Sequence, residues 1–357
     1  FVLDASRDAA LIEETTQAVT EQVAAAEPPD EVDTTPSIAV LPFVNMSSDQ
    51  EQEYFSDGLS EELLNLLAKI PNLQVAARTS SFSFKGQNLE VPEIAQRLKV
   101  AHVLEGSVRK AGNQIRITAQ LIQAEDGYHL WSETYDRDLD DVFAIQDEIS
   151  AKVVEQLKVK LLGEAPHVEE TDPEAYTLFL QARHLARQGT AESREQSVAL
   201  LEQALAIDPD YAAAWDGLAT NYTNLAGRGL PFDEGYAKAR EAVEKALAID
   251  PDYAPAHKNL GWIARAYDND LAASARHFER ALQLEPSNLA IIGSASSLFL
   301  TLGRLDAAIA ALEYVAARDP VNPTSHYNLA VRYQYGGRWD DAIASYETAL
   351  RLSPDRT

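Results

Sequence analysis

The sequence of 357 residues has no cysteine, and its 30 basic residues are outnumbered by 56 acidic ones, giving a formal net charge of −26. Without cysteine, disulfides, thiolate metal sites and cysteine nucleophiles are excluded. A chain this acidic would repel nucleic acid and anionic lipid, because both are bound mainly through Lys and Arg. There is also no apolar run of the ~20 residues that a transmembrane helix needs. We therefore expect no nucleic acid partner and no membrane span within these residues.

Sequence motifs for catalysis are missing as well. The seven histidines have no metal-ligand spacing, and there is no Gly-x-Ser-x-Gly elbow and no Gly-rich phosphate loop. The segment from Asp136 spaces its carboxylates like a calcium loop, but Asp141 stands where that loop needs glycine and Asp147 where it needs glutamate. We interpret these aspartates as caps of the following helix. The sequence predicts no catalytic residue, no metal, no cofactor and no enzyme activity.

What the sequence does contain is a repeated phrase. Residues 204–211, ALAIDPDY, return at residues 246–253, and related endings follow further along the chain. The prolines that close these phrases are separated by 42, 35, 34 and 34 residues. A period near ~34 residues with two amphipathic helices in each unit predicts a helical solenoid. The closing prolines are Pro209, Pro251, Pro286, Pro320 and Pro354.

These units resemble the tetratricopeptide repeat over residues 173–354, in five copies. The last unit carries the family's signature of small and large residues. The second unit departs from it because residues 227–231 lengthen the turn between its helices, and the fourth has Ala295 and Ser296 in place of the Leu-Gly/Ala pair. The signature residues of the last unit are Leu329, Ala330, Tyr333, Gly337, Trp339, Ala342, Tyr346, Ala349 and Pro354.

The resemblance implies an all-α solenoid over residues 173–357 that binds a protein or peptide in a groove lined by the first helix of each pair. Lys258 and Arg265 are seven residues apart, so they share one helix face and are candidates to bind a carboxylate. The alternative, that such residues are merely solvated, stays open. The candidate partner-binding residues are Lys258, Asn259, Trp262, Arg265, Asn328, Gln334 and Tyr335.

Ahead of the repeats, we predict a helix over residues 1–26, a Pro-rich acidic linker over 27–37, an α+β domain over 38–163 and a second linker over 164–172. Periodicity in the α+β domain predicts the order β-α-β-α-β-β-β-α, with a closing helix from Leu139 to Leu161. We expect a mixed sheet covered by helices. A polar loop after the second strand is a candidate ligand contact, or else a simple connection whose phenylalanines enter the core. Its polar residues are Arg78, Ser80 and Lys85.

Through five sequence motifs, this domain resembles the TolB-N/FlgO-type domain. In that family the domain often precedes tetratricopeptide repeats in membrane-bound bacterial regulators, whose cytoplasmic part is a winged-helix DNA-binding domain or a class III adenylate/guanylate cyclase. The resemblance implies a region on the periplasmic side of the inner membrane, anchored through a helix upstream of Phe1. The five motifs are Ile38–Phe43, Phe55–Leu63, Arg78–Phe82, Val103–Val108 and Leu130–Asp136.

We therefore expect a non-enzymatic sensing region of a transmembrane signalling regulator, with a protein or peptide partner. The alternative is a periplasmic structural or assembly adaptor without signalling output. Small-ligand binding by the α+β domain and homo-oligomer formation both stay open.

Overall fold

The computed structural model describes residues 13, 17, 36–49, 52–70, 73–158, 168 and 170–354. Glu13 and Gln17 are helical, and the rest of the predicted helix over residues 1–26 lies outside the described residues, as does most of the linker that follows. The chain forms two compact units. One comprises residues 31–184, and the other comprises residues 1–30 together with 185–357.

The first unit is built on a six-stranded mixed sheet. Its strands are β1 (Ser37–Val40), β2 (Val44–Asn45), β3 (Gln74–Val75), β4 (His102–Ala111), β5 (Gln114–Gln123) and β6 (His129–Asp138), in the order β3-β1-β4-β5-β6, with β2 also pairing with β4. Strand β1 is parallel to both β3 and β4, whereas β4, β5 and β6 form antiparallel pairs. The predicted hairpin turns are confirmed, since Gly112 and Gly127 both adopt the positive φ that such turns require.

Between β2 and Leu157, the described residues form four helices: α1 (Glu53–Ala68), α2 (Arg78–Phe82), α3 (Val91–Leu98) and α4 (Val142–Leu157). A 3₁₀ turn over Leu139–Asp141 leads into α4, so the predicted closing helix is present in its described part. Helices α1 and α4 pack on each other and on the sheet. Helix α3 covers a different part of the core, where Ile94, Ala95 and Leu98 pack against Ala39 and Val103.

Two local predictions in this domain were wrong. Helix α1 begins at Glu53, eight residues before the predicted start, and therefore contains Gly58. This glycine is a packing site, because a Cβ there would lie 2.7 Å from Leu180 Cδ2. The polar loop after β3 is also partly helical, since α2 includes Arg78 and Ser80.

Ten helices make up the repeats, two in each of five units: α5 (Pro173–Ala186), α6 (Ala191–Ile207), α7 (Ala212–Leu225), α8 (Phe232–Ile249), α9 (Ala254–Ile263), α10 (Leu271–Leu284), α11 (Leu289–Thr301), α12 (Leu305–Arg318), α13 (Pro323–Tyr335) and α14 (Trp339–Leu352). The α+β domain and the helical solenoid are thus both confirmed. The long second unit arises from residues 226–231 between α7 and α8, as predicted. Left-handed residues close the turns within the other units, namely Gly189, Asn269, Gly303 and Gly337.

Candidate functional site

The first helices α7, α9, α11 and α13 supply the candidate partner surface, which we call the first-helix surface. Side chains tie its members together: Asn259 Nδ2 on α9 donates to Asp216 Oδ1 at 2.7 Å and to Thr220 Oγ1 at 3.0 Å, both on α7. Burial raises the pKa of the Asp216 carboxyl, while the nearby Lys258 ammonium opposes that rise. Asn259 is buried, so its amide is engaged within the array.

The third unit has one residue more than the fourth and fifth units, and the structure shows where that residue goes. Helix α9 is continued by a π turn over Ala264–Asp268, and Asn269 follows in the left-handed conformation. A π turn absorbs a single inserted residue inside a helix, and such turns often occur at functional sites. The 35-residue step between Pro251 and Pro286 is thereby explained, and Arg265 lies within the turn.

Arg265 is half-buried and forms no ion pair with any residue that the structure describes. Its guanidinium stacks over the Trp262 ring, with Cζ 4.5 Å from the ring centroid. Its buried Nε has no hydrogen-bond partner in the described part of the chain. Burial lowers the pKa of Arg265. Tyr236 acts in the opposite direction, and the positive charge of Arg332 lowers this pKa further.

Arg332 on α13 has the same properties. It is half-buried, its Nε is also buried without a hydrogen-bond partner among the described residues, and burial lowers its pKa. The positive charge of Arg332 lowers the pKa of Arg265, so arginines from units three and five repel each other.

Sequence reasoning missed Arg332, although it found Arg265. The repeat pattern shows which helix each residue occupies, but the absence of a partner for a buried Nε is visible only in three dimensions. The other predicted partner residues are dispersed over α9 and α13. Trp262 and Asn328 are half-buried, Tyr335 is 64% exposed, and exposed Gln334 accepts a hydrogen bond from Tyr346 Oη at 3.0 Å.

The predicted ligand residues of the α+β domain are all engaged in contacts. Arg78 Nε donates to Glu61 Oε2 at 2.6 Å, and its guanidinium lies over the Phe82 ring. Ser80 is fully buried. The Lys85 ammonium pairs with Asp57 at 2.5 Å and with Glu53 at 2.6 Å.

Asp136, Asp138 and Asp141 do not cap the following helix, so that interpretation was wrong. Asp141 precedes α4 without a side-chain hydrogen bond to it. Asp136 instead pairs with Arg116, and Asp138 accepts a hydrogen bond from Gln114, which joins β5 to β6. In the described ranges, no group of three or more His, Cys, Asp or Glu side chains is placed to hold a metal ion.

Four of the histidines make local contacts. His102 Nδ1 lies 3.2 Å from the Ser37 carbonyl oxygen, and His326 Nε2 lies 2.8 Å from the Pro320 carbonyl oxygen. His277 and His257 face each other, with their Nδ1 atoms 3.3 Å apart. Across the described residues, we find no helix with the length and apolar character to span a bilayer.

Two family models match this chain. Residues 34–152 match the second domain of HilA/YgeH-like transcriptional regulators. Residues 263–323 and 294–357 match the tetratricopeptide repeat, in agreement with the predicted repeats. The resemblance to the TolB-N/FlgO-type domain stays a prediction.

A curated relative from Rhizobium meliloti (strain 1021), named putative adenylate cyclase 3, is 41% identical over 251 residues. The match covers 68% of this chain and 43% of the relative, so the chain spans less than half of that protein's length.

Solved structures are similar at lower identity. One is a thermophilic tetratricopeptide protein of Thermus thermophilus, with 22% identity, a TM-score of 0.44, and coverage of 51% of this chain and 93% of that one. Another is the type IV pilus biogenesis factor PilW, with 24% identity, a TM-score of 0.42, and coverage of 51% and 79%. The chain thus joins a domain similar to the second domain of HilA/YgeH-like regulators to tetratricopeptide repeats.

Proposed function

We propose that this chain is the non-enzymatic sensing and protein-interaction region of a bacterial transmembrane signalling regulator, and that its first-helix surface binds an acidic segment of a partner protein. The observation that carries the binding proposal is the pair Arg265 and Arg332. Each guanidinium is half-buried, each Nε lacks a hydrogen-bond partner among the described residues, and the two charges repel each other.

An acidic partner follows from the chemistry of this pair. The chain has 56 acidic residues, yet no described carboxylate pairs with either arginine, while other arginines form ion pairs, such as Arg240 with Asp268 at 2.5 Å. A guanidinium stays charged when half-buried, and its planar fork matches a carboxylate. A carboxylate that pairs with both guanidinium groups would balance their charge and relieve their repulsion.

A defined probe tests this proposal. We expect a fluorescent glutamate-rich peptide with a free carboxyl terminus to bind the full chain in anisotropy titrations, and its glutamine counterpart to bind at least about tenfold more weakly. A hydrogen bond to a charged group contributes about 1.5–3 kcal/mol. Arg265→Gln and Arg332→Gln should therefore each weaken binding of the acidic probe by about tenfold or more.

Arg351→Gln is the matched control, because Arg351 lies on the second helix α14 and bonds to Thr348 in its own helix. Its affinity for the probe should equal that of the wild type. If all three variants bind equally well, the arginine pair is not the binding site.

The signalling part of the proposal is supported by the two kinds of relative, a transcriptional regulator domain and a protein named as an adenylate cyclase. Partner binding would act by shifting the population of two arrangements, which requires different affinity for each. The periplasmic location and the upstream membrane helix follow from the TolB-N/FlgO resemblance. The alternative is a structural adaptor in the periplasm.

Peptide-mapping mass spectrometry of the native protein, from membrane and soluble fractions, separates these two. An upstream apolar span with a winged-helix or cyclase domain would support the regulator. A mature terminus near Phe1 in the soluble fraction would instead support the adaptor.

A further inference from the structure

The strand order of the α+β domain creates a crevice within that domain. From β1 the chain passes through α1 to β3 on one side of β1, then returns through α2 and α3 to β4 on the other side. In parallel α/β arrangements, such a reversal of strand order leaves a crevice outside the carboxyl ends of the strands, and ligands bind there.

A cavity of about 530 Å³ lies at this position. Its walls come from residues 41–45 after β1, from residues 84–91 between α2 and α3, and from the middle of β4 and β5. This volume lies within the range of small-molecule sites, roughly 300–1,000 Å³. The apolar part of the lining is formed by Leu41, Phe43, Phe84, Leu89, Val91 and Ile94.

The polar part of the lining comes from one face of the sheet. Glu105 is paired in register with Gln120, and Ser107 with Thr118, so the four side chains form a square on adjacent strands. Thr118 shares a hydrogen bond with Thr134. Within the described ranges, the side chains of Glu105, Ser107 and Gln120 form no hydrogen bond or ion pair, and these groups are free to contact a ligand.

The charge that the cavity leaves unbalanced is negative. Lys85 at its edge is already held by Glu53 and Asp57, at 2.6 and 2.5 Å. Glu105 is half-buried, and burial raises the pKa of its carboxyl, while His129 on β6 opposes this rise. Further along the same face, Arg116 and Asp136 pair with each other. Glu105 is therefore a carboxylate without an ion-pair partner among the described residues, whereas Arg116 and Asp136 on the same face neutralise each other.

We infer that this cavity binds a small organic cation, a molecule with an amino group and an apolar body. Glu105 would pair with the ammonium group, Ser107 and Gln120 would accept its remaining hydrogen bonds, and the Phe43 and Phe84 side would hold the apolar body. Anionic ligands are disfavoured because no free cation lines the site among the described residues.

Three probes that share a phenyl ring on a two-carbon chain distinguish this inference from general apolar binding. They are 2-phenylethylamine, the alcohol 2-phenylethanol and the carboxylate 3-phenylpropanoate, titrated into the full chain by calorimetry and followed by thermal shift. We expect the amine to bind and to raise the melting temperature. The alcohol should bind at least about tenfold more weakly than the amine, and the carboxylate should not bind.

Glu105→Gln keeps the shape of the side chain and should weaken amine binding by about tenfold or more. Glu125→Gln, which changes an exposed carboxylate in the turn between β5 and β6, should leave amine binding unchanged. Far-UV circular dichroism checks that both variants are folded. Three results would overturn the inference: no amine binding at millimolar concentration, equal binding of amine and alcohol, or full amine affinity in Glu105→Gln.

Discussion

Two glycines lie in opposite surroundings, so they should respond in opposite ways to the same substitution. A Cβ on Gly106 of β4 would lie 2.2 Å from the Thr118 carbonyl oxygen and 2.6 Å from the Phe43 ring. A backbone oxygen inside a sheet cannot move away cheaply, so Gly106→Ala should destabilise the protein by about 1–3 kcal/mol. Gly293→Ala on α11 meets no atom and should stabilise its helix by up to about 1 kcal/mol.

Urea unfolding followed by circular dichroism measures both changes. If Gly106→Ala were neutral, β4 and β5 would have to separate locally to admit the methyl group, and the close approach of Phe43 would not limit this position.

A half-buried histidine makes stability depend on pH. Burial lowers the pKa of His277 to about 4, with contributions from nearby His257 and two arginines, against about 6.5 in an unfolded chain. Between these values the unfolded state binds more protons than the folded state, so stability falls as pH drops from 6.5 towards 4. We expect His277→Gln to remove this component of the pH dependence.

The measurement is the free energy of unfolding of wild type and His277→Gln at several pH values from 7 to 4. The quantity to compare is the difference in unfolding free energy between the two proteins at each pH. Asp216 has a raised pKa, so its contribution to the pH dependence of stability has the opposite sign and is present in both proteins. Parallel curves for the two proteins would contradict the assignment to His277.

At the scale of elements, the helix pairs could be predicted because each unit ends in a proline and carries small residues at a fixed period. The hairpins were equally visible, since Gly112 and Gly127 occupy positions that need positive φ. The start of α1 could not be predicted from the sequence, because Gly58 looks like a helix boundary there. Its packing partner, Leu180, is distant in the chain. The unpartnered Nε groups of the candidate site depend on such distant contacts too.

The π turn in unit three can be tested by removing its extra residue. Deleting Ala266 restores a 34-residue spacing to Pro286, so we expect unchanged helical content and a melting temperature at or above that of the wild type. Because Arg265 lies in the turn, its guanidinium should be redirected and the acidic probe should bind more weakly.

Deleting Ala295 from the regular helix α11 is the control. Ala295 is buried, and its loss rotates the following side chains by about 100°, which should lower the melting temperature strongly. If the π-turn deletion destabilised the repeats and left the affinity for the acidic probe unchanged, the extra residue would serve packing alone.

At the scale of the whole molecule, the repeat pattern and the compact units divide the chain at different places. The pattern begins with α5 at Pro173, but residues up to 184 belong to the unit that contains the sheet. Tyr176 is 1% exposed, accepts a hydrogen bond from Gln146 at 2.8 Å and packs edge-on against Phe143. Arg183 pairs with Glu61 and Glu62. Helix α5 therefore stabilises the α+β domain directly.

Tyr176→Ala in the full chain tests whether α5, the first helix of the repeat pattern, also stabilises the α+β domain. Removing a buried aromatic side chain costs about 3–5 kcal/mol, and the lost contacts lie on α4, so amide hydrogen exchange should accelerate in α4 and in α1, which packs on it. Tyr335→Ala removes a side chain that is 64% exposed and should change stability by no more than about 0.5 kcal/mol. If exchange in α1 and α4 were unaffected by Tyr176→Ala, α5 would be an ordinary repeat helix, and the α+β domain would derive its stability from its own elements.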